Sequence, residues 1–116
     1  MRLRKMDKAH TRELFGLSQS DFDKINELLC ENKNIKKAII YGSRAKGNYK
    51  PGSDIDLTIL GDISWRELNQ LESDLDDAML PYQFNLSLFE HIDNKELIDH
   101  INRIGSVFYQ QNETFA

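Results

Sequence analysis

Ala38-Ile39-Ile40-Tyr41-Gly42-Ser43-Arg44-Ala45-Lys46-Gly47 and, a few residues on, Ser53-Asp54-Ile55-Asp56-Leu57-Thr58-Ile59-Leu60 decide how this chain is read. The apolar run up to Tyr41 has the character of a strand that breaks into a tight turn at Gly42-Ser43. The second run opens on two aspartates. Alternate strand residues share a face, so Asp54 and Asp56 point the same way, roughly 7 Å apart along the strand. Paired carboxylates on one face repel unless a cation lies between them. Mg²⁺ is a hard ion that takes oxygen ligands and is usually bound together with phosphates. The pattern therefore implies a site for a nucleoside triphosphate.

Working outward, Ser18 or Ser20 caps a first helix with Phe22, Ile25, Leu28 and Leu29 on its apolar stripe. Strand one is expected over 37–41 and strand two over 54–60. Ser64-Trp65-Arg66-Glu67 is a capping-box pattern. It opens a helix carrying Leu68, Leu71, Leu75 and Met79, with Pro81 beyond its end. Residues 83–89 alternate, Phe84, Leu86 and Leu88 against Asn85 and Ser87, which predicts a third strand. A last helix over 94–104, capped by Asp93, carries Leu97, Ile98, Ile101 and Ile104 and stops at Gly105. Val107-Phe108-Tyr109 either adds a final strand or covers the core. The expected fold is α+β, a small mixed sheet flanked by helices, with strands one and two antiparallel because their connection is short. Residues 1–16 have poor periodicity and read as a loose arm on a single domain spanning 1–116.

The chain has 116 residues, a 40% hydrophobic share and a net charge of −4, which suits one soluble domain and argues against a general nucleic-acid binder. No stretch is apolar enough to span a bilayer, so no membrane partner is expected. The one cysteine, Cys30, is expected as a buried small hydrophobe in a reducing, cytoplasmic compartment. Bases dominate residues 33–50, whereas between 54 and 99 only Arg66 and Lys95 are basic. His10, His91 and His100 lack zinc-site spacing. Tyr41 and Tyr49 flank the turn, Tyr41 as strand core.

Gly42-Ser43-Arg44-Ala45-Lys46-Gly47 followed by Ser53-Asp54-Ile55-Asp56-Leu57 resembles the signature of the polymerase-beta-type nucleotidyltransferase superfamily, and the length points to its minimal, MntA-like members. The resemblance implies a palm-like fold and an enzyme that moves a nucleoside monophosphate, AMP from ATP, to a hydroxyl of a protein or small molecule. Mg²⁺ is the implied cofactor and NTP the substrate. By that resemblance Gly42, Ser43 and Arg44 bind nucleotide, and Asp54 and Asp56 are catalytic metal ligands. The family's third carboxylate aligns with Asn85, which can offer a carbonyl oxygen but cannot take a proton. A helical HEPN-type partner is also implied, with this chain as antitoxin in a hetero-oligomer, although a homo-oligomer is equally open. The acidic half, Trp65 and Phe108-Tyr109 are the contact candidates. Alternatives are a catalytically weakened NTP-binding antitoxin that acts by contact, and one half of a two-chain transferase for an aminoglycoside-like molecule.

Overall fold

The computed structural model describes residues 14–111. Helix α1 (Gln19–Cys30) begins at Ser18, whose hydroxyl accepts from the Asp21 amide. Strand β1 (Ile35–Tyr41) follows, then a short helix α2 (Ser43–Lys46). Next come β2 (Ile55–Gly61), α3 (Trp65–Asp77), β3 (Phe84–Leu88), a 3₁₀ turn at Phe89–His91, α4 (Lys95–Ile104) and β4 (Ser106–Gln110). The sheet order is β3-β2-β1-β4. β1 pairs antiparallel with β2 and β4, while β2 and β3 are parallel across the α3 crossover. The mixed sheet with flanking helices is the expected fold class.

One face of the sheet carries the core. Ala38 and Ile40 of β1 and Ile55, Leu57 and Ile59 of β2 meet Ile25 and Leu29 of α1 and Leu68, Leu71 and Leu75 of α3. Alternation turns Tyr41, Asp56, Thr58, Asn85 and Ser87 to the other face. There α4 packs along β1. It buries Ile101 and brings its end at Gly105 against the Ile39 side chain.

Several expectations need correction. Leu14 and Leu17 are buried and Phe15 stacks on Phe108, so the end of the supposed loose arm is packed; residues 1–13 lie outside the described residues. Cys30 is exposed, because it closes α1 one position past the buried Leu29. Met79 lies beyond the end of α3 at φ 57° and is 85% exposed, so it does not extend the apolar stripe. The cap of α4 is Asn94, whose side chain accepts from the Leu97 amide, one residue later than the expected Asp93. Strand β2 begins at Ile55, leaving Asp54 just ahead of it. Of the two outcomes left open for the final apolar segment, the strand is formed: it is an edge strand on β1, as one of the expectations had it. Tyr41 is half-buried on the polar face, outside the core.

The capping box at the start of α3 forms in full: Ser64 Oγ accepts from the Glu67 amide at 3.2 Å and Glu67 Oε1 accepts from the Ser64 amide at 2.8 Å. Asn32 and Asn34 each donate to Glu67 Oε2 at 3.1 Å, fastening the α1–β1 loop to the same carboxylate. These bonds, that from the Ser64 amide first, lower the Glu67 carboxyl from its ordinary 4.5 to about 2. Its depressed folded value means that its contribution is present above pH 4.5 and is lost as pH falls through about 2. Urea titrations of wild type and Glu67→Gln should show a stability gap that narrows over this window. A gap of constant size down to pH 2 would contradict the assignment.

Candidate active site

Gly42 leaves the end of β1 with φ 77° and ψ −156° and serves as N-cap of α2. A side chain is excluded there twice over. The positive φ disfavours one, and a Cβ would collide with Asp56 Oδ2. Glycine thus brings the turn's backbone directly against the aspartate. Its carbonyl accepts from the Lys46 amide at 3.0 Å, and its amide donates to His100 Nε2 at 3.2 Å.

Asp56 pairs across the sheet with Tyr41 of β1 and with Asn85 of β3. The Asn85 side-chain amide donates to Asp56 Oδ1 at 2.7 Å and to Asp54 Oδ2 at 3.2 Å. Asp54, Asp56 and Asn85 therefore converge on one point at one end of the strands, where β2 and β3 begin and β1 finishes, with Gly42-Ser43 beside them. Behind them a polar layer continues into the sheet. Ser87 Oγ lies 2.9 Å from Oγ1 of the fully buried Thr58. Burial pushes the Tyr41 phenol above its ordinary range and the nearby Asp56 carboxylate adds to this, against a hydrogen bond with Ser87. Tyr41 is accordingly a neutral wall to the site.

Arg44 is placed differently from the expectation. Its side chain is 2% exposed. Nε and Nη2 donate to the Ser53 carbonyl at 3.1 and 3.0 Å, Nη2 also to that of Pro51 at 3.1 Å, and Nη1 to that of Phe15 at 2.9 Å. The guanidinium lies between the rings of Tyr49 and Tyr82, 5.2 and 5.1 Å from their centroids. A fork so engaged ties the turn to the segment just ahead of Asp54 and is not presented to a phosphate. Two residues that sequence reasoning missed complete the picture: His100, and Tyr82, whose hydroxyl donates to Asp21 Oδ2 at 2.8 Å. Neither carries a local signal, since both depend on elements distant in sequence.

Among the described residues no three His, Cys, Asp or Glu side chains cluster to hold a metal. The converging set is two carboxylates and an amide. All three can present hard oxygens, Asn85 by turning its amide over, so the set fits one divalent cation such as Mg²⁺. Among the described residues no helix is long and apolar enough to cross a membrane.

A glycine turn at the end of one strand, held against the carboxylate of the next strand of a mixed sheet, is consistent with a nucleotidyltransferase palm. The chain belongs to the polymerase beta nucleotidyltransferase family, whose model matches residues 23–114. A putative protein adenylyltransferase of Methanocaldococcus jannaschii is 52% identical over 31 residues, 27% of this chain and 31% of that protein. The match thus spans less than a third of the curated relative's length. Among solved structures, a chain of a toxin–antitoxin complex with AMP-PNP superposes with a TM-score of 0.63 at 20% identity, covering 79% of this chain and 75% of that one. A chain from the Shewanella oneidensis complex of a tri-AMPylated HEPN toxin with its MNT antitoxin gives 0.61 at 17% identity, covering 84% and 76%. A putative nucleotidyltransferase from Sulfolobus solfataricus gives 0.51 at 18% identity, covering 83% and 82%.

Proposed function

We propose that this chain is a Mg²⁺-dependent nucleotidyltransferase that moves AMP from ATP to a protein hydroxyl, acting as the antitoxin subunit beside a helical HEPN-type partner in the cytoplasm. The observation that carries the reading is the convergence of Asp54, Asp56 and Asn85 on a point flanked by the side-chain-free Gly42 backbone. The likeness in fold to chains of toxin–antitoxin complexes supports the partner. In this reading Asp54 and Asp56 hold the ion, which when bound neutralises phosphate charge and polarises the transferred group. Gly42 admits the phosphates to the backbone, and the Ser43 hydroxyl and amide donate to them. The protein's contribution is mainly positioning.

A second reading has its own observation. Asn85, which the family resemblance aligns with a third carboxylate, donates its amide to both aspartates. It cannot accept a proton from an attacking hydroxyl, and losing a positioned base costs about 10²–10⁴ in rate. The chain would then bind NTP and neutralise its partner chiefly by contact.

Incubation with ATP labelled at the α-phosphate, Mg²⁺ and the neighbouring gene's product separates the two readings. Label appearing on either chain, and disappearing with Asp56→Ala, is the expected result for the enzyme. Mg²⁺-dependent ATP retention without label would favour the binding subunit. Neither label nor retention would overturn both.

A further inference from the structure

The Gly42-Ser43 turn is held from outside the signature that defines it. Gly42 is the residue type with the greatest backbone freedom, yet it is fixed at φ 77° with its α-carbon against Asp56. Its carbonyl is held within the turn by the Lys46 amide. Its amide lies past the last β1–β2 pair, Tyr41 with Asp56, and so has no strand partner on β2. It reaches instead across to α4, where His100 Nε2 accepts it at 3.2 Å. An accepting Nε2 places the ring proton of the neutral imidazole on Nδ1. The ring itself is half-buried and meets the edge of Tyr41, with centroids 6.0 Å apart and an interplanar angle of 80°. The Ile101 side chain and the close approach of Gly105 to Ile39 anchor α4 on β1, so the imidazole is presented from a fixed element.

We propose that His100 is a positioning residue for the nucleotide turn: by accepting the Gly42 amide it sets where Ser43 stands relative to Asp54 and Asp56. The inference rests on the nucleotide-binding reading above and adds to it a residue 58 positions away in sequence. Among the described residues His100 makes no hydrogen bond to either aspartate, and it acts through the peptide of Gly42. Without the acceptor the glycine recovers its freedom, and each nucleotide bound must restore the turn's geometry. A hydrogen bond of this neutral kind carries a net effect that corresponds to a loss of about tenfold in affinity.

Three substitutions divide the acceptor from the ring. His100→Phe keeps an aromatic edge against Tyr41 and removes the acceptor. His100→Gln places a carbonyl oxygen near the position of Nε2 without the ring. His100→Ala removes both. Mg²⁺·ATP affinity by calorimetry and hydrogen exchange at the Gly42 amide by NMR are the readouts. The expected result is a Kd raised about tenfold in His100→Phe and His100→Ala, near wild type in His100→Gln, with Gly42 exchange protection following the same order. Unchanged affinity and protection in His100→Phe would overturn the proposal, as would a His100→Gln variant no better than His100→Ala. Wild-type protein that fails to bind Mg²⁺·ATP would overturn the nucleotide reading, and with it this role. Normal wild-type binding with an indifferent His100→Phe rejects the role of His100 alone.

Discussion

If the chain transfers AMP as proposed, Asn85→Asp is expected to raise the rate by about 10²-fold or more, because it sets a proton acceptor where Asp54 and Asp56, the proposed metal ligands, already converge. The backbone is ready for it: Asn85 pairs with Asp56 in the β2–β3 ladder and its side chain already contacts Asp56 Oδ1 and Asp54 Oδ2. The same substitution should destabilise the metal-free protein. It removes two donated hydrogen bonds and adds a third negative charge, an effect of about 1–3 kcal/mol. That corresponds to a fall in Tm of about 4–12 °C in a domain of this size. Saturating Mg²⁺ should recover most of it, since a ligand that binds only the folded state stabilises it by mass action. The transfer assay and melting curves with and without Mg²⁺ therefore make one joint test. No change in either rate or Mg²⁺-dependence of Tm would show that position 85 does not face the ion.

How far the sequence discloses this protein depends on whether the governing interaction is local. The Ser64–Glu67 box is legible because its donors and acceptors sit three residues apart in one helical turn. The faces of β2 and β3 are legible because alternation alone sends Asp56 and Asn85 one way and Leu57 and Leu86 the other. Once the two strands are neighbours, the meeting of these polar residues follows from the register Asp56 with Asn85. His100 has no such signal. In the sequence it is one polar position on an amphipathic helix, and its role arises only when α4 docks on β1. Cys30 and Met79 fail for a related reason, since a helical stripe does not reveal on which residue the helix stops.

Arg44 shows most sharply how one residue type supports two opposite readings, and its substitution is the second large effect expected. An arginine in a phosphate turn offers a planar fork that suits phosphate oxygens, and it suits carbonyl oxygens equally well. The choice is made by segments remote from the motif: the Phe15 carbonyl from the chain ahead of α1, those of Pro51 and Ser53 from the loop before Asp54, and the rings of Tyr49 and Tyr82. Tyr82 is in turn tied to Asp21 of α1. Arg44→Met leaves three carbonyls without their donor and should lower stability by about 3 kcal/mol, or at least about 12 °C in Tm. Arg44→Lys keeps the charge but replaces a rigid fork with a single ammonium, which cannot reproduce donors aimed at three carbonyls. It too should melt well below wild type in chemical and thermal denaturation. A phosphate-binding arginine behaves in the opposite way: Arg44→Lys would keep its Tm and lose ATP affinity. Because Ser53 directly precedes Asp54, the stabilising role still reaches the chemistry. Loosening the loop moves one of the two aspartates, so residual transfer in Arg44→Lys at low temperature should fall further than its folded fraction does.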